Sequence, residues 1–486
     1  MKTEILIGLE IHVALATRTK MFCSCSTAFG HPANTQVCPV CLALPGSLPV
    51  LNRRAVELGL MAALALDAVV YPSMQFERKN YHYPDLPKGY QISQLGAPMA
   101  ERGQMTFTNP DGQDETVRIR RAHLEEDAGK SLHTAEGTLL DFNRCGVPLV
   151  EIVTEPDLHT PGSTRAFLED LRELLHRIGV SEVRMEEGEL RCDVNINLVS
   201  PQGGTEISEV KNLGSFRGVE RALRYEVARH REAAKRGDRL RHETRHWDED
   251  RGVTVAARTK EESHDYRYFP DPDLPIVTLD RAWVHQVRLN IPERPRDRKL
   301  RLERQYGLGR YDAEVLVGDP DLADLFEEMA SRGADPKTAA NWVMGDISGY
   351  LNAHGVRLGQ LPVTPTDLVR LLQMIDQDRI SGKIAKDVWL VMAGEGGRPD
   401  EIVQQRGLGQ ITDDAVLDDL VAEVIAENPD VVGHYLAGKV KAVGFLVGQI
   451  MAKTRGKANP QLVNAKFRDA LEKIQGGDDR ADPGSQ

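Results

Sequence analysis

EILIGLEIHVAL, residues 4–15, carries an aliphatic residue at every second position. Ile5, Ile7, Leu9, Ile11, Val13 and Leu15 fall on one face of a strand of period two, and Glu10 and His12 fall together on the other. Such a strand offers one apolar face to a core and presents a carboxylate beside an imidazole on the opposite face. Further runs repeat the pattern. In TVRIRRAHLEE (116–126) Arg121, His123 and Glu125 share a face while Glu126 points opposite, and in LVEIVTEPD (149–157) Glu151 alternates with Val150 and Ile152. In LRCDVNINLV (190–199) Cys192, Val194, Ile196 and Leu198 form the apolar face, and Arg191, Asp193, Asn195 and Asn197 the polar one. GTEISEVKNL (204–213) reads as another strand. Helical periodicity appears at STRAFLEDLRELLHRIG (163–179), with Ser163 or Thr164 as cap and Gly179 as stop, and at FRGVERALRYEVARHREAAKRG (216–237). Strands with interspersed helices and no regular βαβ rhythm predict an α+β domain on an antiparallel sheet.

At 486 residues the chain is too long for one core. Proline-rich DYRYFPDPDLP (265–275) and IPERPRDRK (291–299) mark a boundary, after which strand patterns give way to helix starts such as DPDLADLFEEMASRG and TPTDLVRLLQMIDQDRIS. RGLGQITDD (406–414) marks a second break. The expected layout is a cradle domain at 1–292, an all-α helical domain at 293–405, an all-α tail domain at 406–475 and a disordered end at 476–486. Hydrophobic content of 41% and charged content of 28% are ordinary for a globular protein. No apolar run is long enough to cross a bilayer and MKTEILIGLE has no signal layout, so the expected location is cytoplasmic, with no membrane partner. A net charge of −12 repels nucleic acid, so any RNA contact needs a local basic region.

A polar strand face ordinarily meets only water. Acids that recur on several strands beside Asn and His would repel one another unless cations neutralise them. Hard oxygen donors with an occasional imidazole suit Mg²⁺ or Mn²⁺, and Mg²⁺ in turn suggests phosphoryl transfer. No P-loop is present: AGKS at 128–131 ends like one, but Leu124 stands where its leading glycine belongs. ATP would therefore bind on the sheet face. Between the strands lies ERKNYHYPDLPKGYQISQ (77–94), where Arg78, Lys79 and Lys88 can hold phosphates and Tyr81, Tyr83 and Tyr90 can stack on a base; the competing reading is a proline-rich loop whose tyrosines simply pack.

Four of the six cysteines cluster as CSC (Cys23, Cys25) and CPVC (Cys38, Cys41). Two thiolate pairs a hairpin apart match a tetrahedral, closed and therefore structural Zn²⁺ site, against the alternative of free buried thiols. Cys145 and Cys192 stand apart and read as core residues.

GLEIHVAL, FCSCST, CPVCLALPGSLPVLN, RKNYHYPDLPKGYQISQ, HLEEDAGK, DFNRCGVPLVEIVTEPD, RMEEGELRCDVNINL, EVKNLGSFRGVERAL and HDYRYFPDPDLP together closely resemble the GatB/GatE family, the B-type chains of aspartyl/glutamyl-tRNA amidotransferases. The resemblance runs nearly the whole length and extends into KAVGFLVGQIMAKTRGKANPQLVN (441–464). It implies a cradle related to glutamine synthetase and guanido kinases, followed by helical and tail domains. It also implies a reaction: with ATP and Mg²⁺ the side-chain carboxylate of mischarged Glu-tRNA(Gln) or Asp-tRNA(Asn) is phosphorylated, and ammonia then displaces phosphate. Glu10, His12, Glu125 and Glu151 match the family's metal-bearing positions, with Asp193 added from strand phase. Lys79 and Lys88 match a segment that lines the ammonia exit or touches phosphate. The chain has no Gly-Ser-Ser-Gly amidase signature, so ammonia is expected from a separate A-type amidase chain, with a small C-type chain bridging the two and the matching aminoacyl-tRNA synthetase as a further partner. Cys145 and His82 depart from the residues usual in the family, Ala and an aromatic ring.

Between Val431 and Ile474 eight basic side chains, including Lys439, Lys441, Lys453, Arg455 and Lys457, face two acids, a surplus of six in a chain of negative total charge. A basic helical face is often only a solvated surface; here it is expected to grip the body of the tRNA. Two other classes compete with this function: a glutamine-synthetase-like ligase acting on a free small acid, and a non-catalytic tRNA-binding adaptor. The helical half disfavours the first and the strand-borne acids disfavour the second.

Overall fold

The computed structural model describes residues 4–200, 203–238, 240–257, 266–409, 413–437, 439–454 and 456–478, in two compact units, Met1–Arg296 and Asp297–Gln486. In chain order the first unit contains β1 (Glu4–Ala14), α1 (Arg53–Ala65), β2 (Glu77–Asn80), β3 (Tyr90–Ser93), β4 (Ala100–Thr108), β5 (Asp114–Glu126) and β6 (Pro148–Thr154). There follow α2 (Pro161–Arg177), β7 (Leu190–Ser200), β8 (Ser208–Lys211), α3 (Phe216–Arg236), β9 (Glu243–Asp248) and β10 (Val253–Ala256). A ten-stranded sheet runs β10-β9-β8-β7-β1-β6-β5-β4, completed by Val69–Val70 on β4 and Gly203–Gly204 on β7.

Its pairings are antiparallel except β8 with β9, which is parallel. The sheet is therefore mixed rather than purely antiparallel. The cause is α3: the chain leaves β8, runs back along this helix and re-enters beside β8 in the same direction, the crossover a parallel pair requires. α2 also corrects the expected cap. Thr160, not Ser163 or Thr164, accepts from the Ser163 backbone N–H, because Pro161 supplies the first helical residue, where its missing N–H costs nothing. Gly179, at φ +70°, ends the turn as expected.

The alternation in β1 decides what each sheet face does. Ile7, Leu9, Ile11 and Val13 are fully buried, with Val194 and Ile196 of β7, Val150 and Ile152 of β6 and Leu124 of β5 in the same core. α1, α2 and α3 pack against the strands of this sheet. Each such aliphatic side chain contributes roughly 1.5–3 kcal/mol on burial, so a one-residue register slip that swapped the faces is strongly disfavoured. The opposite face carries the polar residues of β1, β5, β6 and β7. It is partly covered by a three-stranded sheet of β2, β3 and Phe269–Pro270, which reaches β5 through Gln91 Nε2 to Glu126 O (2.7 Å) and Leu124 N to Gln94 Oε1 (2.9 Å). β4, β9, β10 and α1 are elements that the sequence pattern does not announce.

The second unit is all-α among its described residues. One apolar cluster spans Leu302 to Val403 and another Leu417 to Leu471. Asp319, Asp335 and Thr364 cap helices whose first residue is proline, each side chain accepting from a backbone N–H of the first turn. The last helix runs from Pro460 to Asp478, three residues into the segment expected to be disordered, and 479–486 lie outside the described residues. No helix among the described residues is long and apolar enough to cross a membrane.

Candidate active site and metal centres

The register of three neighbouring pairs sets one row of side chains across the polar face: His123 on β5, Glu151 on β6, His12 on β1 and Arg191 on β7. Glu125 stands two residues along β5 from His123, on the same face. His12 Nδ1 donates to Glu125 Oε1 at 2.8 Å and lies 4.0 Å from Glu151 Oε2. Ligand atoms of His12, Glu125 and Glu151 all lie within 4.8 Å of one another, with Glu125 and Glu151 buried. One imidazole and two carboxylates at this spacing are a donor set for a hard or borderline divalent cation.

Without a cation the electrostatics favour the charged forms, and His12 would give up its proton on ligating one. Burial pushes the Glu151 carboxyl up, but His123, His12 and Lys79 hold it well below the usual carboxylate range. Burial lowers His12, yet Glu125, followed by Glu151, raises it to about 9. The Lys79 ammonium lies 5.6 Å from the centre of the Tyr81 ring and 5.0 Å from that of Tyr266. Burial works against its charge, and Tyr268, Glu125 and Glu151 more than offset this.

The other sequence-predicted residues are distributed differently. Glu10 stands apart from the trio, its carboxylate accepting from Asn195 Nδ2 at 3.0 Å. Asp193 pairs with Lys211 at 2.6 Å. Arg78 is committed to Asp271 (2.8 Å) and Asp273 (3.0 Å) and lies over the Tyr90 ring, so both Arg78 and Tyr90 serve the small sheet. Lys88 pairs with Glu126, which alternates to the far side of β5 from the trio, beside a cavity of about 220 Å³ that also meets Lys20, Cys41 and Leu44. His123 is a residue that sequence reasoning missed as a site member. Its Nε2 lies 3.2 Å from Glu151 Oε2, and its Nδ1 is buried without a partner among the described residues. Strand phase places it beside Glu125, which is the available signal.

The sulfur atoms of Cys23, Cys25, Cys38 and Cys41 also lie within 4.8 Å of one another, and none is in a disulfide. The Cys38 N–H donates to Cys41 Sγ at 3.1 Å, which folds CPVC into a tight knuckle. The fully buried Lys20 donates from Nζ to Gln36 O (2.8 Å), Phe142 O (3.3 Å) and Cys41 Sγ (3.7 Å). Asn34 and Asn143 add reciprocal bonds between the hairpin and the turn before β6. The hydrogen bond from Cys23 lowers the Cys41 thiol to about 4, with the Cys38 N–H and Lys20 assisting against burial, while the same bond pushes Cys23 up. A preformed four-sulfur cluster beside a buried cation fits a closed structural metal site.

In the tail, the acidic helix Asp414–Glu427 alters the charge balance. Lys453 pairs with Glu423 and Glu427, and Lys466 with Asp414 and Asp418. Residues 406–474 carry nine basic and nine acidic side chains, so the basic surplus is local to their second part. Lys439 and Lys441 are exposed and Lys457 partly so; Arg455 lies outside the described residues.

A mixed-sheet domain with a carboxylate–imidazole trio on its polar face, tied to a four-thiol cluster and set in one chain with an all-α half, has the makings of a metal-dependent catalytic component. Comparison with known proteins makes the class specific. The GatB/GatE catalytic domain matches residues 5–285 and the GatB domain residues 324–471. The B subunit of the aspartyl/glutamyl-tRNA(Asn/Gln) amidotransferase of Carboxydothermus hydrogenoformans is 50% identical over 97% of this chain and 99% of its own, and that of Moorella thermoacetica 51% over 97% and 100%. The chain belongs to the GatB/GatE family.

Proposed function

We infer that the chain is the B subunit of a tRNA-dependent amidotransferase, an ATP-dependent ligase, and that the row around His12 is where a mischarged aminoacyl group is activated. The observation that carries this reading is the convergence of His12, Glu125 and Glu151 in a chain of this family. These three would hold Mg²⁺, which supplies charge neutralisation to the transferring phosphoryl group. His123 orients Glu151, and Lys79 adds a second positive charge beside the trio. Glu10 and Asp193 flank the row, each held by a neighbour on the same face.

The chemistry is an acyl activation followed by substitution. A side-chain carboxylate oxygen of Glu-tRNA(Gln) or Asp-tRNA(Asn) attacks the γ-phosphorus of ATP, and the bond to the β,γ-bridging oxygen breaks, so that ADP leaves with the electron pair. The nitrogen lone pair of ammonia then attacks the acyl carbon. Inorganic phosphate departs with the C–O bonding pair, the nitrogen sheds one proton, and the amide remains. Holding carboxylate, phosphate and cation together in a water-poor site supplies most of the acceleration.

Ammonia comes from the A-type amidase chain, with the small C-type chain joining the two and a synthetase as a further neighbour; a tRNA substrate places the work in the cytoplasm. The four-cysteine cluster takes Zn²⁺. The cradle at 1–292 has a glutamine-synthetase or guanido-kinase ancestry, 293–405 forms the helical domain, and 406–475 holds the tRNA body. Amide formation on both charged tRNAs by the assembled complex tests the reading. Gln-tRNA or Asn-tRNA should form only with ATP, a divalent cation and an ammonia source, and amide formation without ATP would overturn it.

A further inference from the structure

The row that contains His12 ends in a cation that the function above does not use. Arg191 pairs directly with His12 in the β1–β7 register, on the face that carries Glu151 and His123. Its Nη2 donates to Asp127 Oδ1 at 2.8 Å, and Asp127 is itself buried and fixed, its Oδ1 accepting from the Ala128 N–H and its Oδ2 lying 3.3 Å from Arg144 Nε. One arm of the guanidinium is thereby held from within the protein. The side chain remains 36% exposed, and no other hydrogen bond to it is found among the described residues.

Three other cations of the neighbourhood are differently placed. Lys79 is walled by tyrosine rings, Arg78 is spent on two aspartates, and Lys88 is paired on the far side of β5. A guanidinium with several donors free, anchored by one arm and standing beside a divalent-cation donor set, has the geometry that phosphoryl transfer requires, because negative charge spreads over the equatorial oxygens in the transition state.

We propose that Arg191 is a catalytic residue of the phosphorylation step, its free donors contacting the phosphoryl group as it passes from ATP to the aminoacyl carboxylate. Asp127 is its positioning residue. The proposal rests on the activation reaction inferred above and adds the group that stabilises its transition state.

The test uses the complete complex with charged tRNA, ATP and ammonium salt in place of glutamine, reading ADP release. Arg191→Gln should lower kcat roughly 100-fold or more, the loss typical of removing one preorganised electrostatic donor, with KM for charged tRNA and Mn²⁺ affinity by electron paramagnetic resonance within about twofold of wild type. Arg191→Lys, which keeps charge but not the planar fork, should recover part of that loss, and Asp127→Asn should lose less than Arg191→Gln because the guanidinium is still present. Tight binding of ADP with aluminium fluoride should follow the same order, and it reads the transition-state site without turnover. Wild-type kcat in Arg191→Gln overturns the proposal. So does a fall in Mn²⁺ or charged-tRNA affinity that matches the fall in turnover, or an Asp127→Asn loss equal to that of Arg191→Gln, which would make Arg191 only a partner for Asp127. Should Arg191→Gln not fold, Arg191→Lys carries the test, and wild-type turnover with wild-type ADP–fluoride affinity in that variant, whose planar fork is gone, would also overturn it. A wild-type complex with no tRNA-dependent ADP release would fail the activation reaction itself, independently of Arg191.

Discussion

His12 Nδ1 donates to Glu125 Oε1 at 2.8 Å although their strands are not neighbours: β6 lies between them, and its Glu151 is directly opposite His12. Three adjacent strands thus supply one ligand each, so the trio is as rigid as the sheet. Replacing any one should weaken the site without unfolding it. Glu125→Gln is expected to lower Mn²⁺ affinity by roughly 10- to 100-fold, about 1.4–2.8 kcal/mol. Titration followed by electron paramagnetic resonance measures this, and an unchanged dissociation constant would remove Glu125 from the ligand set.

His123→Ala should reproduce part of that loss and His123→Gln less of it, since the glutamine amide can still donate toward Glu151. Equal losses in the two variants would mean that the ring only fills space.

Metal analysis of purified protein should find about one Zn²⁺ per chain, the content of a single four-sulfur site. Cys38→Ser and Cys41→Ser should each lose it and loosen the hairpin that Lys20 ties to Phe142. Metal-free protein with four rapidly titrating thiols and an unchanged melting temperature would count against a structural zinc.

The fully buried Glu226 is bonded to Arg229 and Thr254, with His230 and Arg245 beside it. Burial pushes its carboxyl up, but His230, Arg229 and Thr254 prevail and lower it to about 2. A carboxyl depressed on folding stabilises the native state above its unfolded pKa, and that contribution fades as pH falls toward the folded value. The stability difference between wild type and Glu226→Gln should be on the order of 3 kcal/mol near neutrality and shrink from about pH 4.5 downward. Urea unfolding of the full chain at a series of pH values reads it, and a difference that grew on acidification would contradict the assignment.

In the tail, Lys439, Lys441 and Lys457 have no carboxylate partner among the described residues, whereas Lys453 and Lys466 are each shared by two acids. Replacing the first three by alanine should raise KM for charged tRNA and reduce the salt slope by ~1 per lost phosphate contact. Lys453→Ala and Lys466→Ala should change neither. Identical behaviour of the two sets would mean that the tail does not grip phosphates.

The period-two pattern makes β1, β5 and β7 legible together with the acids they bear, because burial alternates along most of each strand, whereas β6 is buried on both faces and shows only as an apolar run interrupted by Glu151. The same signal is absent from α1, whose Val56, Leu58, Leu60, Met61 and Leu64 are buried around most of its circumference, and weak in β4, where Gly103 sits close under Leu66 O. Single residues are harder. Strand phase puts Glu10 on the right face but does not say that Asn195 takes its carboxylate, and no local pattern announces that Arg78 meets aspartates nearly two hundred positions away. The cysteine quartet is readable because its spacing alone nearly fixes its geometry. The tail charge is legible only in part: its surplus between Val431 and Ile474 can be counted, but the acidic helix Asp414–Glu427 that takes up Lys453 and Lys466 precedes that segment.

The central claim is that the trio on the sheet face activates the aminoacyl carboxylate. It is tested most directly by ADP release from γ-³²P-labelled ATP in the assembled complex with mischarged tRNA and no ammonia source, comparing wild type with Glu151→Gln. Wild type should release ADP only when both mischarged tRNA and a divalent cation are present, with the label retained on the aminoacyl group, and Glu151→Gln should release almost none. Equal ADP release from the two proteins, or release from wild type with uncharged tRNA, would contradict the account.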